Sequence, residues 1–355
     1  MTLAKEGFRA APTRMERILE AAKLFREGQN PSNFARQAVL LEALTTDDFP
    51  VLLGAAFETE AIQAQKAAVK EYEAFAVEKK VSDFRPKKLR DLFGRSYFED
   101  VNEGEEYKGG SLDETEVVIS ADKTGKTIGL TFELMKNRDF AELADFPTWL
   151  GNAAVNTENR KVFGTFVGAT GLRTDFFGTV DNKPLTPENL TAAIQALAVK
   201  ENHRGDLVDA SKMVLIVGPG LALEAQRILN ADRILTEVTA GSKVTKTEVP
   251  NPFKGLVELV VSRTFVDLNK AATKGTSWAL VPAKTSENPA VVKTLMLGEE
   301  TVDIRVKRDQ GQRVGGGDVP VEEGSFADDT ILFRGRHIVG AAKAFTEGVY
   351  GSAGA

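Results

Sequence analysis

The sequence predicts an α+β fold made of more than one unit. Three observations carry that expectation. Glu116–Leu134, "EVVISADKTGKTIGLTFEL", alternates at period two on both sides of Asp122–Gly125, the pattern of half-buried strands. Arg138–Val167 carries Leu143, Phe146, Leu150, Ala154, Val162 and Phe166 at mostly helical spacing. From Thr186 onward a capped helix, apolar strands and a strand–turn–helix follow one another. A chain of 355 residues is too long for one ordinary compact core, so two or more units are expected.

The elements follow in order. Arg14–Glu27 is amphipathic, with Met15, Ile18, Leu19, Ala22 and Phe25 on one face. Phe34–Leu44 reads as a second short helix and Ala61–Ala76 as a third, whose apolar face is weak. These first ninety or so residues read as an arm that leans on something else. A basic stretch, Lys79–Arg90, precedes an acidic and then flexible one, Phe98–Gly110. Glu116–Leu134 then predicts a hairpin, with Asp122–Gly125 as its turn. In the helix that follows, Asp145 is the predicted cap and Pro147 lies in the first turn. Gly168–Pro184 reads as a loop.

Thr186 is the predicted cap of the next helix, with Pro187 at its first position. Met213–Val217 is an apolar strand that turns through Gly218-Pro-Gly220 into a helix over Leu221–Leu229. Leu256–Ser262, Ser277–Val281 and Thr301–Val306 read as strands, and Ala290–Leu297 as a strand or short helix. Asp309–Gly324 is Gly-rich and charged, hence a loop. Thr330–Arg334 and His337–Ala344 read as two more strands, and the tail "GVYGSAGA" as flexible.

Composition excludes several classes. Net charge is -6, so bulk electrostatics do not make the whole molecule a nucleic-acid binder. The absence of cysteine removes disulfides, thiolate metal sites and cysteine nucleophiles, and fits a reducing cytoplasm. No targeting segment is visible, and Met213–Leu223, the densest apolar run, is too short to span a bilayer. "LIVGPGLALEAQ" has Leu223 where a dinucleotide fingerprint needs its third glycine. There is no phosphate-binding Gly-x-x-x-x-Gly-Lys-Ser/Thr and no Gly-x-Ser-x-Gly elbow. His203 and His337 are far apart in sequence, with no His or Cys near either, and Trp149 and Trp278 read as core residues. No catalytic, cofactor-binding or metal-binding residue is expected, and an enzyme is disfavoured. An arm, a ribbon, a long helix and an α/β part, several unable to bury themselves, describe a subunit completed by its neighbours.

That order of parts resembles the major capsid proteins of tailed phages, with the Hong Kong 97 fold. The resemblance spans nearly the whole chain. Its most specific part is C-terminal, "ETVDIRVKRDQ", a loop, then "DDTILFRGRHIVGAAKAFTEG". It implies an N-terminal arm over 1–95 and an E-loop hairpin over 96–136. A peripheral domain would hold 137–185 and 297–355, with its spine helix over 138–168, and an axial domain would hold 186–296. The hairpin would lie across a neighbouring subunit, making Val117, Ile119, Ile128, Leu130 and Phe132 inter-subunit contacts, with Lys123 and Lys126 at the tip. Lys87, Lys88 and Arg90 of one copy would meet Glu105 and Glu106 of another.

Further implications are partners and place. Copies would form hexamers and pentamers of an icosahedral shell around double-stranded DNA. A scaffolding protein and portal would act during assembly, and a decoration protein could bind outside. No membrane is involved, and the shell would be built in the host bacterial cytoplasm. Some relatives weld hairpin to neighbour through a Lys–Asn bond assisted by a glutamate. Asp309–Gly324 holds no Asn, and Arg334 and Gly335 stand where an acid is wanted, so no weld is expected. The arm begins at Met1 and is short, so a separate scaffolding protein is expected rather than a fused one. The alternatives are an encapsulin-like shell of the same fold and, more distantly, a soluble α/β enzyme or binding protein.

Overall fold

The computed structural model describes residues 49–91, 115–131, 146–240, 243–317 and 324–354, with residues 23 and 319. Apart from Lys23, which is helical, the expected helices over Arg14–Glu27 and Phe34–Leu44 lie outside the described residues, as do Glu105, Glu106 and Phe132. In chain order the main elements begin with helix α1 (Phe49–Ala67), then strands β1 (Ala76–Val81), β2 (Lys87–Asp91), β3 (Thr115–Ile119) and β4 (Asp122–Leu130). Helix α2 (Phe146–Phe163), β5 (Val180–Asp181), helix α3 (Pro187–Ala198) and β6 (Met213–Val217) follow. Next come α4 (Ala222–Asn230), β7 (Arg233–Ala240), β8 (Lys243–Pro250), β9 (Val257–Val261), α5 (Arg263–Leu268) and β10 (Trp278–Pro282). The chain closes with β11 (Val291–Met296), β12 (Asp303–Val306), β13 (Ile331–Lys343) and β14 (Tyr350–Ser352).

The chain divides into two compact units. One comprises Met1–Ala68, Lys123–Val155 and Glu299–His337. Here β12 runs antiparallel to the first part of β13, with Asp303 opposite Arg336 and Val306 opposite Phe333, and β4 also pairs with β13. Two glycines permit close approach. A Cβ on Gly151 of α2 would lie 2.3 Å from the Ala61 carbonyl of α1, and one on Gly125 2.6 Å from the Gly335 carbonyl. Ala61, Ala154 and Val302 form a small core, and Phe333 packs on Phe57 and Phe146. Gln65 is buried and holds the backbone at both Glu300 and Val302.

The other unit comprises Val69–Asp122, Asn156–Gly298 and Ile338–Ala355. Its central sheet has the order β9–β6–β10–β14–β5. All five residues of β6 are buried, and alternation explains why. Val214 and Ile216 join one core with Ala279, Val281, Phe163, Phe166 and Phe265. Met213, Leu215 and Val217 join a second with Trp278, Leu280, Leu190 and Ile228. A sheet covered on both faces needs such a continuous apolar strand. β1 runs parallel to β11, and β11 antiparallel to the last part of β13. Helix α3 begins as its sequence requires, with Thr186 Oγ1 accepting the Asn189 N–H at 3.2 Å and Pro187 at the first position.

Several expectations are corrected. The hairpin over Glu116–Leu134 does not form. β3 pairs with β2, and β4 pairs with β13 instead. Asp122–Gly125 begins a strand rather than a turn. The two strands expected at Thr330–Arg334 and His337–Ala344 are one strand of thirteen residues. The tail is not free: β14 pairs with both β10 and β5. Its glycines serve close packing, since a Cβ on Gly351 would lie 2.9 Å from the Phe177 ring. Ala61–Ala76 splits between the end of α1 and a separate turn leading to β1. Gly168–Pro184 holds short paired strands and a helical turn. Trp278 is fully buried, but Trp149 is 42% exposed.

Candidate assembly surfaces

Three strand pairs have no third strand among the described residues: the two-residue pair Val167–Gly168 with Gly171–Leu172, and two longer ribbons, β2–β3 and β7–β8. A two-stranded ribbon is marginal in water, so something must support each one. The β2–β3 ribbon is supported at its root by this chain. Val117, Ile119 and Ala121 are buried against Val81, Val292, Met296 and Ile338, with Leu89 packed beside them. Val117 and Ile119, expected on a neighbour, are therefore already covered here. The physical reason is register: Leu89 stands opposite Val117 and Lys87 opposite Ile119. The chain leaves the root with no clearance, because a Cβ on Gly340 would lie 1.8 Å from the Ser120 carbonyl.

The charges expected to bridge copies are in part satisfied within the chain. Lys88 Nζ lies 2.6 Å from Glu116 Oε2 across the ribbon. Lys87 Nζ donates to Ser82 Oγ at 2.7 Å and lies 3.5 Å from Asp83. Arg90 stands opposite Glu116 in the register. The other ribbon face carries exposed Val118, and Phe84 is exposed in the preceding turn. Lys123 and Lys126 lie on β4, not at a hairpin tip. Lys126 Nζ sits 5.3 Å from the Trp149 ring centroid, within cation–π range. Ile128 is half-buried and Leu130 ends the strand.

The second ribbon was not foreseen, although Thr/Val alternation on both sides of Gly241-Ser242 is a hairpin signal. Its root is clamped by Asn251. That side chain donates to the carbonyls of Ile228, Leu229 and Ala231 at 2.7, 3.2 and 2.8 Å, capping the end of α4. The Asn251 N–H donates to the Asp232 carbonyl at 3.1 Å, tying the two ends of the ribbon together. Lys254 pairs with Asp232 at 2.9 Å.

A buried polar cluster lies elsewhere in the same unit. Lys293 of β11 is 3% exposed and meets Glu158 of α2, 2% exposed, at 3.1 Å. Glu78, opposite Lys293 in the register, lies 3.0 Å away. Lys293 Nζ also donates to Tyr72 Oη at 2.8 Å, and Tyr72 donates to Glu158. Burial, then the Glu158 charge and hydrogen bond, push the Tyr72 phenol far above its ordinary range. At the chain end, Tyr350 donates to Asp181 at 2.8 Å. Hydrogen bonds from Lys183 and Tyr350 hold the Asp181 carboxyl below its ordinary value. These clusters bind elements together. Among the described residues no group of three or more His, Asp or Glu could hold a metal, and no helix is long and apolar enough to cross a membrane.

The chain belongs to the phage capsid protein family, whose model matches residues 114–351. It is a structural protein, a subunit of a capsid shell that associates with its own copies, and its place is the virion capsid. No curated protein matches it in sequence. Among solved structures it is similar to the capsid of the cyanophage P-SCSP1u, at 13% identity over 81% of this chain and 89% of that one, with a TM-score of 0.48. It is similar also to the mature capsid of bacteriophage PhiM1, at 11% identity, 80% and 86% coverage and a TM-score of 0.46. A virus-like particle from Pyrococcus furiosus gives 10%, 83%, 97% and 0.43.

Proposed function

We propose that this chain is the major capsid subunit of a tailed phage, with a Hong Kong 97-type fold. Copies form the hexamers and pentamers of an icosahedral shell that encloses double-stranded DNA. The observation that carries this reading is the β2–β3 ribbon. Its root is seated in the chain's own core, yet residues 92–114 connect its strands beyond the last register pair, Asp91 and Thr115. In this reading the E-loop is 87–119 rather than 96–136, and reaches a neighbouring copy from a fixed base. The axial part centres on the β9–β6–β10–β14–β5 sheet, and α2 is the spine.

A separate scaffolding protein and a portal act during assembly in the host bacterial cytoplasm, and a decoration protein can bind outside. Electron microscopy of the purified chain, alone and co-expressed with candidate scaffolding proteins, tests the proposal. Closed shells of one diameter are expected. Nuclease-protected double-stranded DNA inside particles from infected cells separates a phage head from an encapsulin-like compartment. A chain that stays monomeric under every such condition would overturn the reading.

A further inference from the structure

We draw no further inference here: the strongest candidate, the cavity of about 680 Å³ beside the edge strand β9, lined by Val69, Lys70, Glu73, Glu258, Val261 and Lys284 among others, carries nothing, because nothing among the described residues shows what covers it and its mixed lysines and glutamates select no occupant by charge.

Discussion

Lys293 and Glu158 face one another at 3.1 Å with both side chains almost wholly removed from water. The pair joins strand β11 to helix α2, with Glu78 and Tyr72 completing the cluster. Removing one partner of a buried ion pair strands the other charge, at a cost of about 3–5 kcal/mol. Lys293→Met should lower stability by that much in urea unfolding. Lys293→Met with Glu158→Leu should recover much of the loss, because a well-packed apolar pair is often neutral. A single variant as stable as the natural chain would remove the pair from the account of this unit.

Tyr72 makes the same cluster sensitive to alkali. Its phenol is raised by burial first and by Glu158 second, with smaller contributions from Glu78 and Glu73. Lys293 is the cation facing it. A raised folded value means the folded chain holds the proton more tightly than the unfolded chain. The resulting stability is fully present below the ordinary tyrosine value of about 10, and is lost as pH rises above it. Tyr72→Phe should therefore be less stable at neutral pH, through the lost hydrogen bonds, yet fall less steeply with alkali. Parallel stability curves above pH 10 would contradict this.

Local signals were legible in the sequence, and pairing was not. Thr186 and Pro187 open their helix as read, and Met213–Val217 is the buried strand expected. Both depend on residues close in the chain. The partner of β4 lies about two hundred residues away in β13, and nothing in "EVVISADKTGKTIGLTFEL" encodes that distance. Gly125 resembled a turn residue because close approach to Gly335 and a tight turn both demand glycine. The tail was misread for the same reason. In the candidate surfaces, alternation correctly put Val117 and Ile119 on one face, but could not say whose core would receive them.

The glycines give a paired test of close approach. Gly340→Ala would place a Cβ 1.8 Å from the Ser120 carbonyl, a backbone atom that cannot swing aside. A loss of about 1–3 kcal/mol or more is expected from such overpacking, with the ribbon root displaced. A Cβ on Gly275 meets nothing within 4 Å, so Gly275→Ala should be neutral or slightly stabilising, by up to about 1 kcal/mol. Thermal melts of the two variants side by side would decide the matter, and equal melting temperatures would count against the crossing as described.

Helix α2 invites a proline test. Ala154 lies well inside Phe146–Phe163 and is buried against Ala61 and Val302. Ala154→Pro removes one helical hydrogen bond and sets the ring against the preceding turn, for about 3 kcal/mol or more. Insoluble protein, or soluble protein without shells, is expected. Natural yields of particles would show that the helix is dispensable for the shell.

The β2–β3 ribbon separates folding from assembly. Asp91 and Thr115 are the last register pair before residues 92–114. A Gly-rich turn of two to four residues can therefore replace 92–114 without moving the strands. Val117, Ile119 and Ala121 would keep their burial against Val292, Met296 and Ile338, and Lys88 would keep Glu116. The shortened chain should melt within a few degrees of the natural one, because every described residue of that core lies outside 92–114. It should nevertheless form no closed shells, since the reach to a neighbouring copy is gone. Sedimentation and electron microscopy would read the outcome. Normal shells from the shortened chain would mean that 92–114 contributes nothing to association, and the E-loop role would have to be given up. A shortened chain that cannot fold would place the missing contacts within its own subunit, which defeats the role equally.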